Sequence, residues 1–181
     1  GEGAAQSTQD VDSYQVTAYG DYTADTWFVE GMAAYGYNSV DTTSRITFGG
    51  LNRTRRGGYT AHQYSARVRG GVPFALGGGQ TLTPSAGFQV THIDNESYTT
   101  TGAGGLNQRV DPADVNKAIA MAGVTYAADM ATDNGTLTPE VRARALYDFA
   151  ADQPEQTRTY TGGGASFSTT GADVAELGGK L

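Results

Sequence analysis

Two runs of charge stand out in this sequence: Arg67 and Arg69, and further on Glu140, Arg142, Arg144 and Asp148. Within each run the charges are spaced by even steps, so on an extended chain they share one face. Guanidinium and carboxylate groups so arranged suit ion pairing, or gripping a polar chain as it passes. Covalent chemistry has no comparable support. His62 and His92 stand without a nucleophile or carboxylate at a catalytic spacing, and both read as strand-end residues. Gly102-Ala103-Gly104-Gly105 is followed by no Lys-Ser/Thr and opens no helix, so it is not a phosphate loop. Asp94, Glu96, Asp111 and Asp114 have the chemistry for Ca²⁺ but read as solvated loop acids. No enzyme activity, cofactor or metal is expected.

Composition narrows the classes further. The 181 residues carry a net charge of −7, with 26 Gly, 11 Tyr and no Cys. The acidic balance argues against a nucleic-acid partner, which demands basic clusters. One basic knot, Arg53-Thr54-Arg55-Arg56, sits among Gly and Asn and reads as a solvated loop. Without Cys there are no disulfides or thiolate metal sites. The sequence begins at Gly1 without Met or signal peptide, as a mature or excised chain does. No stretch approaches the ~20 apolar residues of a membrane helix.

What positions the charges is a period-2 alternation. It predicts antiparallel strands near 12–22, 26–38, 60–74, 81–92, 115–129 and 136–150. One face carries Tyr14, Tyr22, Trp27, Tyr35, Tyr37, Tyr64, Phe74, Tyr126, Tyr147 and Phe149 among Ala, Val and Gly, and no charge. The other carries Asp21, Glu30, Arg67, Arg69, Lys117, Asp129, Glu140, Arg142, Arg144 and Asp148. The connections alternate as well. Those near 23–25, 75–80 and 131–135 are short, the last containing the Asn134-Gly135 hairpin signal. Those near 39–61, 93–116 and 151–170 are long, polar and expected as outer loops. Short turns at one end and long loops at the other is the outer-membrane pattern.

Three features put the apolar face against lipid. The expected strands run roughly 10–14 residues, against about 5–6 in soluble sheets and about 9–11 for a bilayer crossing. The apolar face is Ala-rich, so packing it on a second sheet leaves voids, whereas lipid fills them. From Trp27 to Tyr37 is roughly 33 Å of strand, which tilted by ~40° rises about 25 Å, the height between two aromatic girdles. The alternative is a soluble or surface-exposed β-rich adhesin or binding module, its charged face wet and its Ala-rich face packed.

Five stretches then carry a resemblance: Trp27-Phe28-Val29-Glu30-Gly31, Ala34-Tyr35-Gly36-Tyr37-Asn38, Leu82-Thr83-Pro84-Ser85-Ala86-Gly87, Tyr98 to Asn107, and Leu137-Thr138-Pro139-Glu140-Val141-Arg142. In that order, over nearly the whole chain, they resemble the C-terminal translocator barrel of bacterial autotransporters. The resemblance implies an all-β, up-and-down, twelve-stranded outer-membrane barrel. Its pore would hold a segment leading to an N-terminal passenger, and its biogenesis would use the barrel-assembly machinery. A pore-spanning helix and a final strand ending in an aromatic residue are missing. The expectation is a partial barrel, with six complete strands and a seventh opening over Ala172 to Leu181. Its partners would be membrane lipid, the assembly machinery and its own passenger. The charged face would line the lumen, with Glu30, Arg67, Arg69, Glu140, Arg142 and Arg144 near mid-strand.

Overall fold

The computed structural model describes residues 6–48, 50–150, 155–171 and 177–180. Its main sheet contains β1 (Gln6–Thr23), β2 (Phe28–Phe48), β3 (Leu51–Gly71), β4 (Phe74–Gly77) and β5 (Gln80–Asn95). β6 (Tyr98–Thr99), a 3₁₀ turn over Gly104–Leu106 and β7 (Gln108–Pro112) follow before β8 (Val115–Ala128) returns to it. A small hairpin comes next, β9 (Met130–Thr132) and β10 (Gly135–Leu137), and then β11 (Glu140–Asp148). β12 (Glu155–Tyr160), β13 (Phe167–Thr170) and β14 (Leu177–Lys180) complete the described strands.

The main sheet has the order β1-β2-β3-β5-β8-β11-β14, with β4 also on β5, and every pairing is antiparallel. Strands adjacent in the up-and-down order are therefore adjacent in space, as expected. Among the described residues the sheet ends at β1 and β14 and does not close. β14 pairs Leu177 to Lys180 with β11, the start of the expected seventh strand; residues 172–176 and 181 lie outside the described residues.

Three expectations are corrected. The third and sixth strands are not continuous: the ladder is interrupted at Val72-Pro73 and at Thr138-Pro139, because proline has no N–H to donate. The hairpin tip near 131–135 is Asp133-Asn134, flanked by the Thr132–Gly135 pair, one residue before the Asn-Gly expected. The long connection at 39–61 is not a loop. β2 and β3 stay paired from Phe28–Gly71 out to Phe48–Leu51, and β1 accompanies them to Gln6–Arg45. At ~3.3 Å per residue each 21-residue strand is roughly 70 Å long, far more than a bilayer needs. The basic knot thus lies on β3, with Arg55 opposite Ser44 and Arg56 opposite Thr43.

The other two long connections are ordered too. β13-β12-β7-β6 form a second antiparallel sheet. Above Ala61, β3 has left β5 behind, so its free edge is open to the chain that follows. Glu96 N donates to Thr60 O at 3.0 Å, and Arg56 and Thr101 exchange backbone hydrogen bonds of 2.9 and 2.7 Å. From that seam the second sheet folds over the ribbon. Here lies most of the little core the described residues have: Val40, Ala61, Ala103 and Val110, the last only 1% exposed.

Candidate functional site

Register decides which side chains share a face. Every pairing in the main sheet sets the uncharged residues opposite one another: Ala18–Ala33–Ala66–Val90–Ala118, and Gly70–Ala86–Ala122–Ala145. Among the described residues nothing packs against this face. Val16 is 73% and Val141 68% exposed, with Tyr14, Tyr22, Trp27, Tyr35, Tyr64, Phe74, Phe88, Tyr126, Tyr147 and Phe149 also open.

The aromatics sort into two bands. Toward the short turns, Tyr22 and Trp27 meet at 5.4 Å, and Phe74 and Tyr126 both lie opposite Leu82. Toward the loop end, Tyr35 and Tyr64 meet at 5.3 Å, and Tyr147 and Phe149 at 4.8 Å. Tyr14 pairs with Tyr37 there. Tyr147 is level by register with Gly31, not with Tyr35. Tyr126 likewise falls below Tyr22. Both bands descend through the register in the same sense, as level girdles do on tilted strands. The two histidines belong to the loop-end band: Tyr35 Oη lies 2.8 Å from His62 Nδ1, and His92 Nδ1 2.8 Å from Asn116 Oδ1.

On the opposite face the structure gathers some of the ten charges and separates others. Asp21 lies opposite Glu30, and Glu30 opposite Arg69. The Arg69 Nε is buried and meets the Glu30 carboxylate, while the guanidinium carbon sits 5.5 Å from the Phe28 ring centroid. Arg67 shares a recess with Asp21, Glu30, Thr17 and Met32. Arg69 and Arg144, with β5 and β8 between their strands, line a small recess with Ser85, Met121 and Gly123. Glycines open that space. A Cβ on Gly123 would lie 3.0 Å from Arg144 Cγ, and one on Gly87 3.2 Å from Arg69 Cβ. The alternation made the arginines visible, but not the clearing between them.

Four charges fall away from mid-sheet. Glu140 begins β11, because Pro139 cuts the strand, and it pairs with Arg142 two residues on. Asp129 lies beyond β8 and accepts a 2.7 Å bond from Thr138 Oγ1. Asp148 is buried at the loop end, where its Oδ1 accepts the Ala118 and Ala150 N–H groups at 3.3 and 3.2 Å. Lys117 lies opposite Thr91 near the same end. Among the described residues the ion pairs of this face run along the sheet, Glu30–Arg69 across adjacent strands and Glu140–Arg142 within one.

The loop acids are engaged with their neighbours. Arg109 Nη2 meets Asp111 Oδ1 at 2.9 Å, Asp114 Oδ1 accepts the Asn95 N–H at 3.2 Å, and Thr60 Oγ1 donates to Glu96. Asp111 pushes the Arg109 pKa above its ordinary value, first by its hydrogen bond and then by its charge.

A sheet with neighbours in sequence paired in space, an unpacked apolar face between two aromatic bands, and charge confined to the other face belongs to the class of membrane β-barrels. No helix of the described residues is long and apolar enough to cross a membrane; such proteins cross with strands. The chain belongs to the autotransporter β-domain family, which matches residues 2–181, and its place is the bacterial outer membrane. It is 27% identical over 146 residues to outer membrane protein A of Rickettsia conorii and 26% identical over 146 residues to that of Rickettsia rickettsii. Each match covers 77% of this chain, but only 7% and 6% of those relatives. It is also similar to the crystal structure of the β domain of the Bordetella autotransporter BrkA, with 15% identity and a TM-score of 0.44, over 98% of this chain and 92% of that one.

Proposed function

We propose that this chain is the barrel part of a translocator: it anchors an N-terminal passenger in the outer membrane and helps it to the cell surface. The uncharged face meets lipid, the aromatic bands sit at the two interfaces, and the charged face lines the lumen. Its work is mechanical and electrostatic, without a catalytic step. The barrel-assembly machinery inserts it.

The observation that carries this reading is the register itself. The paired strands keep the Ala, Val and Gly rows and the two aromatic bands on one exposed face and hold Glu30, Arg67, Arg69, Arg142 and Arg144 on the other. A charge at the middle of a lipid-facing strand costs about 2–4 kcal/mol, whereas in a narrow polar interior it meets water and counter-charges. On this reading Arg69 and Arg144, projecting over the Gly87 and Gly123 clearings, grip the acceptor groups of a chain in the pore.

The test neutralises Arg142 and Arg144 together, as glutamines, in the full-length protein. Expected is normal assembly, read as heat-modifiable migration, with altered pore conductance and slower appearance of the passenger at the surface. A double variant that assembles with wild-type conductance and export reduces these arginines to scaffolding and removes the conduit role.

A further inference from the structure

The cleft between the β1-β2-β3 ribbon and the second sheet has a volume of about 340 Å³. Its floor is the outer continuation of the charged face, including Thr42, Ser44 and Arg55; its roof includes Tyr98, Gln108 and Arg158. Two observations single it out. Neither guanidinium is neutralised: the ion pairs among the described residues are Arg69–Glu30, Arg109–Asp111 and Arg142–Glu140, and Arg158 holds only the Gln156 Oε1, at 2.6 and 3.0 Å. In a chain of net charge −7, two arginines left without acids in one cavity form a local reversal of sign. The second observation is independent. Gln108 lines the cleft, its backbone bonds are made with Thr100, and its side-chain amide makes no hydrogen bond among the described residues. Its donor and acceptor therefore face the cleft, where a ligand or water can meet them.

We propose that this cleft binds a carboxylate flanked by hydroxyl or amide groups. The planar guanidinium groups of Arg55 and Arg158 take the two carboxylate oxygens. The Gln108 amide and the Thr42 and Ser44 hydroxyls take the flanking polar groups. The volume admits one such unit and its immediate neighbour, so recognition is of a single acid and not of a long acidic tract. The same chemistry has two sources, an acidic side chain on a polypeptide leaving the pore or a free sugar acid. The site stands on its own residues and goes beyond the export reading.

The experiment titrates the full-length protein, folded in detergent micelles, with two probes and their neutral counterparts. The probes are galacturonate against galactose, and an N-acetylated, C-amidated Glu-Thr dipeptide against the Gln-Thr form. Expected is saturable binding of at least one acid and of neither neutral form, weakened by added salt. The Gln108 side-chain amide resonance should move during the titration. Arg55→Gln with Arg158→Gln should weaken binding by about tenfold or more. Arg56→Gln, on the other face of β3, should leave it unchanged. Binding by the dipeptide alone assigns the source to a polypeptide, and binding by galacturonate alone to a sugar acid. Absence of binding by both acids, equal binding of the neutral forms, or an unmoved Gln108 amide in the wild-type protein overturns the proposal. The last of these is decisive even where the double variant does not fold.

Discussion

Tyr59 on β3 and Tyr98 on β6 stack with ring centroids 5.1 Å apart and planes 16° from parallel. One belongs to the ribbon that continues the main sheet, the other to the chain that has just left it. Their contact sits on the outer continuation of the charged face, so it holds the second sheet over that face and not over the apolar one. Gly57 makes the approach feasible: a Cβ there would come within 2.8 Å of the Tyr98 ring and 2.9 Å of Thr100 Cγ2.

Gly57→Val should therefore lift the second sheet without disturbing the barrel strands. Overpacking of this kind costs about 1–3 kcal/mol. Limited proteolysis should cut the segments around 100–107 and 160–166 faster in the variant, while heat-modifiable migration stays as in the wild type. Unchanged proteolysis means the stack does not hold the sheet in place.

The same pair gives a pH dependence. Burial is the main cause that raises the Tyr98 pKa above its ordinary value of 10.0; Arg158 and Arg55 act against it, and Tyr59 with it. A folded-state pKa above the unfolded one means the folded state holds the proton more tightly. The contribution is present in full below pH 10.0 and is lost as pH rises through the folded value. Alkaline titration should thus loosen the second sheet late, monitored by its proteolysis, and Tyr98→Phe should remove that step. A Phe variant with the same alkaline profile assigns the loosening to other groups.

Asp21, Glu30 and Arg69 offer a test of sign. Glu30 stands between a like charge and an opposite one on neighbouring strands. Directly opposed like charges cost roughly 0.2–1 kcal/mol, and a partly exposed ion pair contributes about as much. Asp21→Asn should raise the midpoint of unfolding in detergent slightly, whereas Glu30→Gln should lower it by leaving the buried Arg69 Nε without its carboxylate. A shift of the same sign in both would mean the row is not coupled as the register implies.

The alternation that revealed these charges was legible because each strand meets different media on its two faces. Where that difference ends, so does the signal. From Ser39 to Ala61 both faces of the ribbon carry polar residues, with Thr42, Thr43, Ser44, Thr54 and Arg55 distributed over them, and a strand so patterned reads as a loop. Its clue was composition: Val40, Ile46 and Phe48 recur at even spacing amid Thr. The second sheet had no local signal at all, because β7 joins β12 through pairs such as Val110–Arg158, far apart in the chain. The strand breaks fall at Pro73 and Pro139, but proline alone did not mark them, since Pro84 lies within the unbroken β5. The Arg69–Arg144 recess needed strand order and register together before its glycines acquired meaning.

The most direct test of which face meets lipid uses two positions on the central strands. Ala122 lies between Ala86 and Ala145 on the uncharged face, and Thr83 lies opposite Thr125 on the other. Ala122 is paired on both sides, whereas Thr83 is paired with β8 on one side and borders the Val72-Pro73 break on the other. With the uncharged face toward lipid, as proposed, an arginine at Ala122 would project into hydrocarbon at a depth where such a charge costs about 2–4 kcal/mol. An arginine at Thr83 projects toward Arg142 but is separated from it by Thr125, so repulsion across water should stay within a few tenths of a kcal/mol. Equilibrium unfolding of the two variants in lipid vesicles should therefore show a large loss for Ala122→Arg and a small one for Thr83→Arg. In urea, without lipid, the difference should shrink, because the penalty comes from the membrane and not from the sheet. Equal losses in vesicles would mean that neither face is in hydrocarbon, and the reverse order would turn the sheet inside out.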